Sequence, residues 1–253
     1  MKFILGKKLF MTQLWRDDRV VPVTCIKVEP CVITQVKTKE RDGYRGVQVG
    51  TGQRAAKNIA KPQRGHFGAW GNFQYQREFN LDCEPIGTEE QLSVGQQIAL
   101  STFVPGDRIQ VTSISKGRGF QGGVKRHGFH GQGRSHGVKD QQRMPGSVGA
   151  TGPAHIFKGT RMPGRYGGQQ VTVKNLEVVE VDEVNGYLYI RGAVPGWRNN
   201  LVAISGSGEL ILKADQAPAA AEAEVKKDDT EIAVDTKADE LTDNPEKPEP
   251  VTA

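Results

Sequence analysis

The segment formed by residues 116–168 constrains the fold of this 253-residue chain more than any other part of it. It contains fifteen glycines, ten Lys or Arg residues, four of the five histidines and a single acidic residue, Asp140. So few apolar side chains cannot build a hydrophobic core, and so much glycine opposes a regular helix. A loop of this length inside a compact domain is usually functional or disordered. We therefore predict that this segment, called the arm below, extends from a folded body.

Charge is distributed unevenly along the chain. The overall net charge is +5, but residues 214–253 carry 12 Asp or Glu against 4 Lys, a net of −8, which leaves +13 on residues 1–213. A body this basic predicts a polyanionic partner, either a nucleic acid or an anionic membrane surface. No apolar run approaches the roughly 20 residues that span a bilayer, so no membrane segment is predicted.

The acidic tail, residues 214–253, is rich in alanine, glutamate, lysine, aspartate and proline and has no aromatic residue. Such a composition cannot bury enough apolar surface to offset the entropy of ordering, so the tail is predicted to be disordered. Its role has no firm explanation in the sequence; it either shields basic surface or does nothing specific.

Strand-like stretches dominate the rest of the body. Alternating or β-branched apolar residues predict the strands, and the Asp-Gly pair at 42–43 and the Asn-Gly pair at 185–186 predict hairpin turns. A further turn is predicted at Pro105-Gly106-Asp107. The first 53 residues are predicted to form strands. The individually predicted strands cover residues 20–28, 31–37, 44–49, 97–103, 107–115, 170–182, 187–191 and 210–212. Many short strands with turn signals favour a small barrel or a sandwich.

Residues 54–81 have a mixed pattern. A short helix is predicted at residues 55–60, ending before Pro62, because the residue before a proline avoids the helical conformation. Residues 65–71 contain too much glycine for regular structure. This part of the chain is predicted to form a small subdomain or insertion.

The arm contains the spacing of a dinucleotide-binding turn, Gly117-x-Gly119-x-x-Gly122, directly after a predicted strand. An acidic residue, Asp140, follows about twenty positions later, as that motif requires. The glycines should also open a helix whose N-terminus receives the pyrophosphate. Further glycines interrupt the following residues, and no apolar stripe is present. A dinucleotide-binding enzyme is therefore kept only as the weaker alternative.

Metal binding and nucleophilic catalysis have less support. The histidines at 127, 130 and 136 have a superficial ligand spacing, but no cysteine is near and several cations are, which disfavours a zinc site. Ser135 and His136 are adjacent without a carboxylate to orient the imidazole. Cys25, Cys31 and Cys83 form no Cys-x-x-Cys pair and are predicted to be reduced structural thiols. We predict no catalytic residue, no metal and no cofactor.

Binding of a polyanion explains more of the arm. Glycine lets the backbone approach phosphates closely, Lys and Arg supply charge, and histidine or phenylalanine rings can stack on unpaired bases. The sequence Arg-Met-Pro-Gly occurs twice, at 143–146 and 161–164, and predicts two fixed Pro-Gly turns. The plain alternative is a solvated basic loop without a partner.

An ordered series of motifs resembles one family throughout residues 1–213. The matching stretches are GKKLFMTQ at 6–13, KPQRGHF at 61–67, SKGRGFQG at 115–122, VKRHGF at 124–129, RMPGSVG at 143–149 and GAVPG at 192–196. Together they are similar to the motifs of bacterial large-subunit ribosomal protein three. Two positions depart from the family pattern. Phe10 replaces a glycine of the opening motif, and Ala150 stands where some members carry a methylated glutamine, so that modification is not expected.

The resemblance implies a translation-protein-type β-barrel body at residues 1–213 with a small α+β insertion at 54–95 and the arm at 116–168. It implies a non-enzymatic protein of the cytoplasmic ribosome that contacts large-subunit rRNA near its 3′ end and neighbouring ribosomal proteins. It also implies a role early in subunit assembly and an arm directed toward the peptidyl-transferase centre. Neither a membrane nor a small-molecule substrate is expected.

By position, the resemblance and the charge pattern assign two sets of residues. The candidate rRNA-binding residues are Lys7, Lys8, Lys116, Arg118, Lys125, Arg126, His127, His130, Arg134, His136, Arg143, Lys158, Arg161, Arg165, Trp197 and Arg198. The candidate tip of the arm consists of Arg143, Met144, Pro145, Gly146, Ser147, Val148, Gly149 and Ala150.

Overall fold

A computed structural model of the protein describes residues 1–16, 18–81 and 92–213, with the side chain of Ala69 excepted. The acidic tail and Cys83 lie outside these described residues. The first strands are β1 (Lys2–Arg16), β2 (Arg19–Lys27), β3 (Cys31–Lys37), β4 (Gly46–Gln53), β5 (Phe73–Asn80) and β6 (Gln97–Ile98). The later strands are β7 (Arg108–Ile114), β8 (Phe120–Gln121), β9 (Gly164–Arg165), β10 (Gln170–Asp182), β11 (Tyr187–Arg191), β12 (Leu201–Gly206) and β13 (Leu212–Lys213). Short helices occur at α1 (Lys39–Asp42), α2 (Lys61–Phe67) and α3 (Gly123–His127).

Six strands close into an antiparallel barrel in the order β1-β12-β7-β10-β11-β2. In β7, alternate residues are buried and point into the barrel, as the period of a strand requires. The fully buried interior side chains include Ile4, Val111, Leu188, Ile190 and Ile204. The predicted mainly β fold with a barrel is confirmed.

A second sheet with the order β13-β6-β3-β4-β5 continues from the barrel. The two sheets share one apolar cluster, in which Phe3 of β1 stacks on Phe79 of β5 with ring centroids 4.6 Å apart. A smaller cluster contains Val32, Phe67 and Phe73 and anchors α2 to this sheet. The boundaries of the proposed insertion at 54–95 stay a prediction.

Several sequence-based element predictions are accurate and others are wrong. β10 and β11 match the predicted strands residue for residue, and both lie beside the predicted turn at 185–186. The helix predicted at 55–60 is wrong. Residues 56–58 form only a single 3₁₀ turn, and the helix is α2, which contains Pro62 in its first turn. Proline is tolerated there because the first amides of a helix have no partner within it.

Further differences concern the limits of two strands and several strands that the sequence does not predict. The strand predicted at 97–103 ends at Ile98 because Leu100–Thr102 forms a 3₁₀ turn, and the last strand begins at Leu212 rather than at 210. The sequence does not predict the strands β5, β8, β9 and β12. β12 contains Ala, Ser and Gly beside its aliphatic residues, so its strand signal is diluted.

Candidate nucleic-acid interface

The arm begins at the end of β7 and returns into the start of β10, two strands that are hydrogen-bonded neighbours in the barrel. Its first residues continue this ladder. The Ser115 amide donates to the Gln169 carbonyl at 2.8 Å, the Arg118 amide to the Tyr166 carbonyl at 2.8 Å, and the pair β8–β9 follows. The ladder requires a glycine at Gly167, whose φ is +72° and whose Cβ would overlap the Lys116 carbonyl oxygen. The arm therefore leaves the barrel as a paired ribbon.

Beyond the ribbon, α3 is tied to the returning chain. Arg126 Nη1 donates to the Met162 carbonyl at 2.6 Å, and a ring nitrogen of His127 lies 3.0 Å from the same oxygen. Gly123, the single buried residue between 116 and 168, lies against the ring of Phe129. Residues 116–132 and 161–168, called the arm root below, are thus held by contacts within the protein.

The distal arm, residues 133–160, has fewer such contacts. One cross-link, from the Gln132 amide to the Gln142 carbonyl at 3.0 Å, marks its beginning. Beyond it the hydrogen bonds are local, such as that from Ser147 Oγ to the Gly149 carbonyl at 2.8 Å. The eight candidate tip residues are all exposed, and two of them, Met144 and Pro145, line a shallow cavity with Phe129 and His130.

The two Arg-Met-Pro-Gly copies do not share a conformation. Gly146 has a φ of +80°, which suits a turn, whereas Gly164 begins strand β9. The second predicted Pro-Gly turn is therefore wrong, because pairing with β8 holds this copy extended.

The positive charges of the arm have no carboxylate partners among the described residues. Every ion pair that the described ranges contain lies elsewhere, and none includes a Lys or Arg between 116 and 168. Most candidate side chains here are exposed: Lys116, Arg118, Lys125, His130, Arg134, His136, Arg143, Lys158, Arg161 and Arg165. Arg118 also lies over the ring of Tyr166, 5.0 Å from its centroid. The arm therefore has a dense positive surface that no carboxylate of the described residues neutralises.

The loop between β11 and β12 adds two candidate residues near the arm root, and Lys8 of β1 binds to this loop. Lys8 Nζ donates to the carbonyls of Val194, at 2.6 Å, and Gly196, at 3.2 Å. Burial and, second, the nearby charge of Lys116 lower the pKa of Lys8. Trp197 and Arg198 are exposed on the same loop. The structure therefore brings Lys8, Lys116 and the Trp197–Arg198 pair into one neighbourhood.

Lys7 does not share this arrangement. Its ammonium lies 2.8 Å from a carboxylate oxygen of Glu29, so a neighbouring negative charge already offsets it.

The sequence analysis does not single out Asn200, whose buried side-chain amide holds the loop between β11 and β12 in place, as described below. The Asn-Asn pair after a Pro-Gly turn is a signal that could have indicated a shaped loop, because asparagine tolerates positive φ.

Other chemistries receive no structural support in the described part of the chain. The helix after Gly122 has only five residues, too few for the long helix of a dinucleotide-binding turn. Residues 1–16, 18–81 and 92–213 contain no group of three His, Cys, Asp or Glu side chains suited to a metal. No helix in these ranges is long and apolar enough to cross a membrane. Cys25 and Cys31 are buried free thiols, and burial raises the pKa of Cys31 to about 11.

A family model and several curated relatives of this chain point to the same family. The family model described as "Ribosomal protein L3" matches residues 86–186. The "Large ribosomal subunit protein uL3" of Roseiflexus sp. (strain RS-1) is 49% identical over 211 residues, which cover 81% of this chain and 98% of that protein. The proteins of the same name from Pelotomaculum thermopropionicum and Carboxydothermus hydrogenoformans are 46% and 45% identical, each over 80% of this chain and 95% and 96% of their own lengths. The chain therefore belongs to the ribosomal protein L3 (uL3) family.

Proposed function

We propose that this protein binds large-subunit rRNA directly and that the arm is its main RNA-binding element. Membership of the uL3 family supports a role as a structural constituent of the large ribosomal subunit. We propose that this role is non-enzymatic. The finer proposal is that it binds near the 3′ end of the rRNA, early in assembly, with the arm directed toward the peptidyl-transferase centre. Its immediate partners are then rRNA and neighbouring large-subunit proteins.

One observation carries the proposal of direct binding. Ten Lys and Arg side chains lie within 53 consecutive residues, and none is paired with a carboxylate of the described residues. Such a surface attracts phosphates and releases their counterions on binding, so affinity depends steeply on salt. In a water-poor RNA interior, phosphate repulsion is poorly screened, and cations inserted there are more effective than cations at a surface.

The test compares two triple variants of the full chain. In the first, Arg143, Lys158 and Arg161 of the arm are replaced by Gln. In the control, three exposed cations of the second sheet and its connections, Lys39, Arg41 and Lys57, are replaced by Gln, so the change in net charge is the same. Binding to a transcript of the 3′-terminal domain of the rRNA is measured at several salt concentrations.

We expect the arm variant to bind more weakly and its slope of log affinity against log salt to fall by about 2, since each lost phosphate contact contributes roughly 0.7–0.9. The control should retain the parent slope. Equal behaviour of the two variants would show that only overall charge matters, and the arm would lose its assigned role.

The direction of the arm is tested in assembled particles. A variant with Val148→Cys and Cys83→Ser carries a thiol at the candidate tip, while Cys25 and Cys31 remain buried. A short photoactivated crosslinker on that thiol should react with rRNA around the peptidyl-transferase centre. Crosslinks confined to the outer surface of the subunit would contradict the proposed direction.

The early role in assembly needs its own measurement. When synthesis of the protein is stopped, we expect large-subunit precursors to accumulate that also lack the late-assembling proteins. Normal precursors that only lack this chain would contradict that part of the proposal.

A further inference from the structure

An exposed tryptophan lies beside the arm root, in the loop between β11 and β12. Trp197 retains 46% of its surface exposed, although tryptophan is usually largely buried in a folded protein. It is not a member of the apolar cluster that fills the barrel. A large aromatic side chain held at a surface is typical of residues that contact a partner.

The loop that carries Trp197 is held by hydrogen bonds on both sides. Asn200 is buried, and its Nδ2 donates to Ser113 Oγ at 2.8 Å and to the Ile114 carbonyl at 3.1 Å. The Lys8 amide donates to the Asn200 carbonyl at 3.0 Å, and the Asn199 amide donates to the Lys8 carbonyl at 2.7 Å. These bonds join the loop to β1 and to the end of β7, where the arm begins.

Two residues next to Trp197 have conformations that preserve this shape. Gly196 has a φ of +99°, and a Cβ there would lie 2.5 Å from Asn200 Nδ2. Asn199 has a φ of +63°, which asparagine tolerates better than most residues. With the Lys8 ammonium bound to the carbonyls of Val194 and Gly196, the loop is ordered before any partner arrives.

The neighbourhood of Trp197 is positively charged. Arg198 follows it in the chain, Lys8 lies beneath the loop, and Lys116 is close enough to Lys8 to disfavour its protonation. No ion pair of the described residues involves any of these three side chains. An aromatic ring surrounded by cations suits a nucleotide, whose base stacks and whose phosphate is anionic. A protein partner would need an unusually acidic surface to match it.

We infer that Trp197 is a stacking platform for one unpaired nucleobase of the RNA at the arm root. Arg198 and Lys116 contact the adjoining phosphates, whereas Lys8 and Asn200 are positioning residues that hold the loop. Because the site lies at the end of β7, it fixes where the RNA meets the barrel as the arm enters it. This inference rests on the proposed rRNA binding.

The experiment measures binding of the full-length protein to the 3′-domain rRNA transcript over a range of salt concentrations. We expect Trp197→Ala to weaken binding about 5- to 150-fold, the effect of losing one stacked base, and to leave the salt slope unchanged. Trp197→Phe should recover most of the affinity. Arg198→Gln should instead lower the slope by roughly 0.7–0.9.

Two controls separate stacking from other causes. Trp15→Ala removes an even more exposed tryptophan, from the β1–β2 hairpin, and should leave binding unchanged. The melting temperature of Trp197→Ala should match that of the parent, and the Phe variant guards against a distorted loop.

Three results would overturn the inference: unchanged binding by Trp197→Ala, a fall in its salt slope equal to that of Arg198→Gln, or an equal loss in Trp15→Ala. If Trp197→Ala binds the transcript normally but is lost from assembled subunits, the partner is a protein instead.

The arm variant with Gln at 143, 158 and 161 distinguishes failure of this inference from failure of the proposed rRNA binding. If it weakens binding while Trp197→Ala does not, only this inference fails; if neither does, the proposed function fails as well.

Discussion

The barrel and the arm of this protein obtain their shapes in different ways. In the barrel, side chains such as Val111, Ile190 and Ile204 are completely buried, and antiparallel pairing closes the sheet on itself. In the arm, one residue of 53 is buried, and backbone hydrogen bonds with glycine-dependent turns hold the root. Apolar burial therefore stabilises the barrel, whereas hydrogen bonds and glycine conformations shape the arm root and add little to the free energy of unfolding.

The largest expected difference between the two regions is in the cost of replacing one isoleucine by alanine. Ile204→Ala in the barrel should lower the free energy of unfolding by about 2–5 kcal/mol, because it removes buried methylenes and leaves a cavity. Ile156→Ala in the exposed distal arm should change it by less than about 0.5 kcal/mol. Denaturant unfolding of both variants measures this. Equal losses would mean that the arm has a core after all.

The second prediction concerns the ion pair between Lys2 and Asp107 at the barrel, a kind of contact that the described residues of the arm lack. Burial opposes ionisation of Asp107, but hydrogen bonds from Lys2 Nζ and from the Val104 amide outweigh it and lower the pKa of the carboxyl. A carboxyl with a depressed folded pKa contributes stability above its unfolded pKa of about 3.9 and loses it as pH falls through the folded pKa.

Asp107→Asn should therefore cost about 1–3 kcal/mol at pH 7, since the largely buried Lys2 loses its partner. The difference from the parent should shrink as the pH falls below about 4. Urea unfolding at a series of pH values checks this. A cost that stays constant down to acidic pH would exclude the ion pair as its cause.

The third prediction tests whether geometry alone holds the arm root. Gly167→Ala introduces a side chain at positive φ that overlaps the Lys116 carbonyl, and should weaken the ribbon locally by about 1–3 kcal/mol. Amide hydrogen exchange should accelerate in the peptides around Arg118 and Tyr166, with little change in the barrel. Gly117→Ala is the control, because a Cβ there meets nothing within 4 Å. Faster exchange in both variants would point to general loosening.

The smallest effect is expected at an exposed charge network on the barrel. The Arg191 guanidinium, and then that of Arg16, hold the pKa of Glu177 below its ordinary value. Both arginine side chains are about half exposed, so solvent screens the pairs. Glu177→Gln should cost less than about 1 kcal/mol in thermal unfolding. A larger loss would indicate that surface charge, as well as apolar burial, stabilises the barrel.

Sequence patterns predict the barrel strands where alternation and turn chemistry agree. β10 and β11 were predicted to the residue because both signals are strong around the Asn-Gly pair at 185–186. β12 was missed because its small residues dilute the alternation. The helix prediction at 55–60 fails because a proline ends a helix when it lies in the interior, whereas Pro62 lies in the first turn of α2. Closure of the sheet depends on long-range pairing, which local patterns do not contain.

For the candidate site, composition and motifs predict which residues are basic but not what each one contacts. Lys7 and Lys8 are adjacent, yet one pairs with Glu29 and the other binds backbone carbonyls of a loop nearly 190 residues away. Likewise, Arg126 and His127 were assigned to RNA but also bind the Met162 carbonyl within the arm root. These differences arise in the tertiary fold, so the predicted RNA contacts stay predictions.

The arm joins two strands that are neighbours in the barrel, and this placement lets the length of the arm change during evolution. Its two ends are held one hydrogen bond apart, between Ser115 and Gln169, whatever the length of chain between them. Doubling a flexible insertion costs only about 0.6 kcal/mol of closure entropy. Insertions and deletions in the excursion can therefore alter its reach while the strand register beneath it is inherited unchanged.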